Sequence, residues 1–271
     1  MQKVAVIISV YKSDNVSFID RAIKSILDQT YNNIEVFIQV DGVVSDKIKH
    51  LLIDYSKIGE VNVYFNDKNM GLATRLNNSI DTIVKLGGYN YIARMDADDI
   101  SDLNRIETQV TFLNNNPDID IVGSDVIEIS ELEVEMFYKK MDSSHHMLAQ
   151  NIIKKCPFNH PSVMFRCDIF EEGFRYDSSL MNTQDYYLWV DLLSAGKRFA
   201  NINKPLLKFR VNSEFHSRRG FKKAKNDFKS RIYAFKKLNV LSFSNVFHTI
   251  TLFLLRLAPT SIKKWAYNNF R

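Results

Sequence analysis

Two cysteines, Cys156 and Cys167, are all that 271 residues contain. They are too few for a disulfide framework, and their spacing is not that of a metal site. A reducing cytoplasm is therefore the expected compartment. No apolar run reaches the roughly 18 residues that a membrane-spanning helix needs. The opening stretch MQKVAVIISVYKSD lacks the length and the small-residue cleavage site of a secretion signal. Its β-branched residues are expected to form a first strand. The chain has no Gly-x-Gly-x-x-Gly and no Gly-x-x-x-x-Gly-Lys-Ser/Thr, which argues against a dinucleotide fold and a P-loop. It also lacks internal repeats and low-complexity linkers. Hydrophobic residues make up 45% and charged residues 25%, as in an ordinary globular protein with a sizeable core and one or two domains.

The net charge of +5 conceals an asymmetry. Residues 208–271 carry 15 Lys and Arg against two acids, Glu214 and Asp227, whereas residues 1–207 carry 21 basic and 29 acidic side chains. A basic tail on an acidic body points to an anionic partner: a membrane surface, a nucleic acid or a phosphorylated ligand. No nucleic-acid-binding motif is present, so no nucleic-acid partner is expected.

Apolar β-branched runs predict strands at Lys3–Val10, Ile34–Val40 and Val61–Phe65, with a fourth around Tyr91–Met95. Helical periodicity falls between them, around Phe18–Leu27, Lys47–Tyr55 and Leu72–Lys85, with Gly87-Gly88 as a stop signal. This alternation over about 115 residues predicts a parallel, right-handed α/β sheet. Beyond Asn116-Pro117 the alternation breaks. Strands are expected at Asp118–Glu128, Val134–Lys140, Arg198–Asn201 and Leu206–Arg210, and helices at Ser143–Lys155 and Asp185–Ser194, as a mixed extension of the same sheet.

The fourth strand ends in three carboxylates, Asp96, Asp98 and Asp99, and then a helical-looking NRIETQVTFL. Carboxylates this close repel one another unless a positive charge lies between them. Open α/β sheets bind ligands at the carboxyl ends of their strands. A hard divalent cation carrying diphosphate oxygens suits such a cluster. The bland alternative is a solvated acidic turn that caps the following helix. Tyr11, Asp41, Asn66 and Asp67 fall at the ends of the other three strands, so parallel strands would gather all these groups at one crevice, as in a nucleotide or sugar-nucleotide site.

The stretches VAVIISVYKSD, Ile34–Gly42, NMGLATRLNNSI, YIARMDADDIS, NHPSVMF, TQDYYLWVDLL and KFRVNSEFHSRRGFKKAK occur in that order over about residues 3–230. In this combination the chain resembles the inverting glycosyltransferases of family 2, and most of all the bacterial transferases that build capsule or O-antigen polysaccharide. The resemblance implies a GT-A fold, a mixed and mainly parallel sheet flanked by helices. It also implies a nucleoside-diphosphate sugar donor, usually UDP-linked, and Mn²⁺ or Mg²⁺. Residues 1–238 would form the transferase domain, with the nucleotide-binding half at 1–115 and the acceptor half at 116–238.

The resemblance also assigns roles. Tyr11 would pack on base and ribose, although an aromatic that merely caps the sheet edge fits as well. Asp41 would help to read the base; Val40 stands where relatives carry a further carboxylate. Asp98 would bind the metal, and Asp96 would hold the ribose or a metal-bound water. Arg75 lies one place before the position where relatives carry a phosphate-binding arginine, a turn of about 100° on a helix. Asp185 would be the catalytic base, although it would also serve as a plain helix cap. Gln184 replaces a common glutamate on the acceptor side, where His160 also falls. His216 would be an extra metal ligand or phosphate contact, and Arg210, Arg218 and Arg219 candidates for neutralising the leaving diphosphate. Arg105 would be an ion-pair partner that holds the carboxylates.

Residues 239–271 read as a basic amphipathic tail. SNVFHTITLFLLRLA (Ser244–Ala258) is apolar but too short to span a bilayer, and Lys263, Lys264, Trp265, Tyr267, Phe270 and Arg271 follow. This mixture suits an interfacial helix on anionic lipid. A helix packed on the body or on a second subunit is the alternative. The whole describes a cytoplasmic transferase, peripheral at the inner face of a membrane, acting on a lipid-linked glycan. Its rival is a non-catalytic sugar-nucleotide-binding subunit of an assembly complex. A nucleotidyltransferase should carry a glycine-rich basic loop, which Tyr11–Val16 lacks.

Overall fold

The computed structural model describes residues 1–180, 182–211 and 221–258. The first half alternates strictly: β1 (Val4–Tyr11), α1 (Val16–Leu27), β2 (Ile34–Asp41), α2 (Asp46–Tyr55), β3 (Val61–Asn66), α3 (Leu72–Leu86) and β4 (Tyr91–Asp96). The elements begin where local chemistry starts them. The Asn15 side chain accepts the Ser17 amide at the head of α1, and the Ser45 hydroxyl accepts the Ile48 amide at the head of α2. α1 then buries Ile19, Ala22, Ile23 and Ile26 on one stripe against the sheet.

The strands pair in the order β3-β2-β1-β4, all parallel. The chain winds outward from β1 through β2 to β3, then returns to the other side of β1 to lay down β4. The sheet therefore reverses its winding between β1 and β4, and a crevice opens at the carboxyl ends of such a pair. Register fixes what lies there. Tyr11 stands opposite Asp41, Asp41 opposite Asn66, and Asp96 opposite Ser9.

The second half extends the sheet with β5 (Ile100–Ser101), α4 (Arg105–Asn115), β6 (Ile121–Ile129), β7 (Glu135–Lys139), α5 (His145–Asn151), β8 (Met164–Arg166), α6 (Asp168–Glu171), α7 (Gln184–Ser194) and β9 (Phe199–Arg210). β8 runs antiparallel to both β4 and β6 and joins the halves into one sheet. β9 is a single strand where the sequence predicts two. Its register against β6 shifts around Asp125, opposite Pro205, which has no amide to donate, and the bulge absorbs the break. β6 and β9 also approach closely at Gly123, where an added Cβ would collide with the side chains of Asn201 and Phe158. Two helices close the described chain, α8 (Phe221–Leu238) and α9 (Phe243–Leu257), and α8 packs on α7 and on α9.

Two cores sandwich the sheet. One lies under α1, α2 and α4. The other lies under α3 and α7 and centres on Trp189, fully buried and stacked on Phe165 with ring centroids 5.6 Å apart. Among the described residues, no helix is long and apolar enough to cross a membrane.

Candidate active site

Side chains alternate along a strand, so Ile92, Arg94 and Asp96 share one face of β4. Arg94 is buried, and its Nη2 pairs with Asp96, while Nε and Nη1 have no hydrogen-bond partner among the described residues. Arg94 is thus the arginine that holds a carboxylate of the cluster. Arg105, expected in that role, instead donates to the Arg94 carbonyl at 2.7 Å and to Gln109 at 3.1 Å. It opens α4 beneath the strand, so its guanidinium meets backbone first.

The acidic turn after β4 is braced from outside. Arg210, at the end of β9, donates its amide to Asp99 Oδ1 at 2.8 Å and its Nε to the Asp98 carbonyl at 2.8 Å. Its other nitrogens reach the carbonyls of Ser130 and Glu131 and the Glu133 carboxylate, and its guanidinium lies 3.9 Å from the Phe18 ring centroid. Buried and bonded through its guanidinium to the Asp98 turn and the Ser130–Glu133 loop, Arg210 braces the turn in this conformation. His216, Arg218 and Arg219 lie outside the described residues.

Asp96, Asp98 and Asp99 each offer a carboxylate oxygen within 4.8 Å of the others. Asp14, which accepts the Tyr11 amide at 2.7 Å, adds a fourth charge. Burial pushes Asp98 up to about 7, and the charges of Asp96 and Asp14 push the same way. Asp14 is raised to about 6, by burial first and by Asp96 as well, against the opposing Tyr11 bond. Asp99 is held well above the usual carboxylate range by complete burial and then by its two neighbours, and its Oδ2 has no hydrogen-bond partner among the described residues. An all-oxygen, mutually repelling set with an orphaned buried oxygen fits a hard divalent cation such as Mg²⁺ or Mn²⁺.

At the other end of the crevice Asp41 and Arg75 engage each other. Asp41 accepts the Met70 and Gly71 amides at 2.8 and 2.9 Å and Arg75 Nε at 2.7 Å, and Arg75 Nη2 reaches the Lys68 carbonyl. Both side chains are buried. The pair stitches the end of β2 to the loop before α3, so neither side chain is open to a donor in this conformation. Gly42 lets the loop close: its φ is +83°, and an added Cβ would meet the Asn69 amide at 3.0 Å. Arg75→Met is expected to cost about 3–5 kcal/mol by leaving Asp41 buried and unpaired. Urea denaturation measures this. Stability within about 1 kcal/mol of wild type, a surface-pair figure, with weaker UDP binding would return Arg75 to the donor site.

His160 meets Tyr176, which the sequence did not single out. Its buried hydroxyl lies 2.8 Å from His160 Nε2, and Asn77 of α3 clamps its backbone, donating to the Tyr176 carbonyl at 2.7 Å and accepting its amide at 3.0 Å. The His160 ring packs edge-on against Trp189 of α7. Burial, with Arg94 adding to it, holds His160 well below its ordinary pKa, so the imidazole is neutral. Burial raises the Tyr176 pKa, Arg94 opposes it, and the charges of Asp185 and Asp96 both add to the rise, so both carboxylates act on this phenol. Asp185 is part-buried in the first turn of α7. Gln184 beside it is buried, and its Oε1 lacks a hydrogen-bond partner among the described residues. Tyr11 remains part-exposed at the end of β1.

A parallel sheet whose winding reverses beside a carboxylate turn, extended by strands of mixed direction and flanked by helices, is the GT-A glycosyltransferase architecture. The Glycosyl transferase family 2 model matches residues 5–174. An Escherichia coli UDP-Gal:alpha-D-GlcNAc-diphosphoundecaprenol beta-1,3-galactosyltransferase is 30% identical over 98% of this chain and 95% of its own length. The Erwinia amylovora amylovoran biosynthesis glycosyltransferase AmsE is 29% identical over 98% of both chains. Among solved structures, S. aureus TarS 1-349 in complex with UDP superposes with a TM-score of 0.65 at 14% identity, over 94% of this chain and 71% of that one. The Pyrobaculum calidifontis mannosyltransferase PcManGT, in complex with GDP-Man and Mn²⁺, gives 0.62 at 14% identity over 98% and 75%. The chain belongs to glycosyl transferase family 2.

Proposed function

We propose that this protein transfers a hexosyl or N-acetylhexosaminyl group, with inversion, from a UDP-sugar to a lipid-linked glycan of a growing surface polysaccharide, at the inner face of a membrane. The observation that carries this reading is a carboxylate cluster at the end of β4 and a separate carboxylate on α7 whose charges act on the same buried phenol, Tyr176. Asp96 and Asp98 form a crowded cluster on the β4 side, and Asp185 stands apart at the head of α7, with Tyr176 within reach of both charges. The galactosyltransferase relative, named for a UDP-linked donor and a diphosphoundecaprenol-linked acceptor, supports the substrate classes.

Asp98 and Asp96, with Asp99 beneath them, would hold Mg²⁺ or Mn²⁺. The bound cation would offset the charge that develops on the leaving diphosphate. Tyr11 would pack on the base and ribose. Asp185 would take the proton from the acceptor hydroxyl as its oxygen attacks the anomeric carbon from the face opposite the diphosphate. The helix dipole at the head of α7 favours the charged carboxylate. His160, neutral and tied to Tyr176, shapes the acceptor wall without giving or taking charge.

Purified protein incubated with Mn²⁺, a panel of UDP-sugars and a diphosphate-lipid-linked acceptor should release UDP with one of them in an acceptor-dependent way. Tight UDP-sugar binding without any acceptor-dependent release across the panel would favour a non-catalytic subunit.

A further inference from the structure

A helix on a protein surface ordinarily turns its charges outward and its apolar stripe inward. α9 does the reverse. Among Asp, Glu, Lys and Arg its sequence, FSNVFHTITLFLLRL, holds only Arg256, and that side chain pairs with Asp227 on α8. Thr249 is buried on the inner side, and Phe253 packs against Phe228 of α8 with ring centroids 5.3 Å apart. The outer side carries Phe243, Phe247, Ile250, Leu254 and Leu257, which are 88%, 64%, 48%, 60% and 43% exposed. Their spacing of four, three, four and three residues puts them on one continuous stripe. Isolated exposed apolar residues need no explanation, but a contiguous row of five large ones does.

Charge identifies the occupant. Residues 221–258 hold eight Lys and Arg and one acid, Asp227, which Arg256 already engages. On α8, Lys225, Lys229 and Lys236 are exposed and recur at helical spacing. A second copy of this hairpin would bring a surface of the same sign against the first, which costs energy. A surface both anionic and apolar within a few ångströms suits the hairpin: acyl chains for the stripe and acidic headgroups for the lysines. We propose that the outer face of α9 lies in the headgroup–acyl boundary of an anionic bilayer, with the lysines of α8 held against its headgroups. This rests on the reading of a membrane-bound acceptor only for its setting, since lipid binding is measured without donor or acceptor.

The test is co-sedimentation of the full chain with vesicles of phosphatidylglycerol and phosphatidylcholine, beside vesicles of phosphatidylcholine alone. Wild type should bind the mixed vesicles, more weakly as salt rises, and bind the neutral ones at least tenfold less. Phe247→Glu with Leu254→Glu should lower binding to the mixed vesicles at least tenfold. Phe247→Gln with Leu254→Gln should lower it too, which separates lost apolar contact from added repulsion. All these side chains point outward, so UDP binding should be unchanged in both variants. Undiminished binding by both variants, equal binding to neutral vesicles, or a wild-type dimer that the variants turn into monomer would overturn the proposal. If transfer activity is absent but vesicle binding follows this pattern, the enzymatic reading fails and this one stands.

Discussion

Asp185→Asn is expected to bind UDP and Mn²⁺ as tightly as wild type and to transfer sugar about 10²-fold more slowly or worse. General-base catalysis contributes roughly 10²–10⁴-fold. An amide matches the carboxylate in size and can keep its place in the first turn of α7, whose N-cap is Thr183, so the helix should stand and melting should shift little. The loss should fall on kcat with saturating acceptor, because the proton leaves the hydroxyl only as the new bond forms. If turnover stays within a few fold of wild type, Asp185 is only a first-turn acid of α7 and another group is the base.

The second large effect is expected at Asp98. Asp98→Asn should remove the metal-dependent part of UDP affinity, about tenfold or more, since even outer-shell changes at metal sites cost about 10–100-fold. Without metal, Asp98 is pushed up to about 7 by burial and by Asp96 and Asp14. A cation binding below that pH must displace a proton, so Mn²⁺ affinity should rise as pH goes from 5 to 8. The stability effect has the opposite sign. A carboxyl whose pKa is raised on folding stabilises at low pH, and that contribution fades as pH rises through about 7. The metal-free protein should therefore lose stability over that range, and Mn²⁺ should raise its Tm more at pH 8 than at pH 5. The metal-free variant, with one repulsive charge fewer, should be more stable than metal-free wild type at pH 8. Calorimetry with UDP and Mn²⁺ and thermal melts at both pH values measure these effects. A pH-independent Mn²⁺ affinity, or a variant that binds UDP and Mn²⁺ like wild type, would remove Asp98 from the metal site.

What could be read from the sequence was whatever has a period or ends abruptly. β1 to β4 announce themselves as β-branched runs that stop in polar residues, and their parallel order puts Tyr11, Asp41 and Asp96 on one edge as expected. β5 and β8 are two and three residues long, too short to show any period. Arg94 and Arg105 both bracket the acidic cluster in the sequence, and strand alternation favours Arg94, because two residues along a strand return to the same face and set it beside Asp96. Where Arg105 turns could not be read, because its target is the Arg94 carbonyl and no pattern announces a backbone acceptor. The ties of Arg75 to Asp41 and of Arg210 to the Asp98 carbonyl were not legible, because an arginine's sequence context does not say where its donors go. Tyr176 lies in an aperiodic stretch, and it takes Asn77, 99 residues away, to hold it in place. The tail read as amphipathic, but it takes the ion pair of Arg256 with Asp227 on α8 to show which side of α9 faces the body.

The central claim is inverting transfer from a UDP-sugar. The stereochemistry of the product tests it most directly. With the sugar that supports UDP release, the linkage formed from its α-linked UDP donor should be read by the anomeric proton coupling in NMR. The account requires a β-linkage, because the acceptor oxygen enters opposite the leaving diphosphate. An α-linked product would contradict it and remove Asp185 from the role of base in a single displacement.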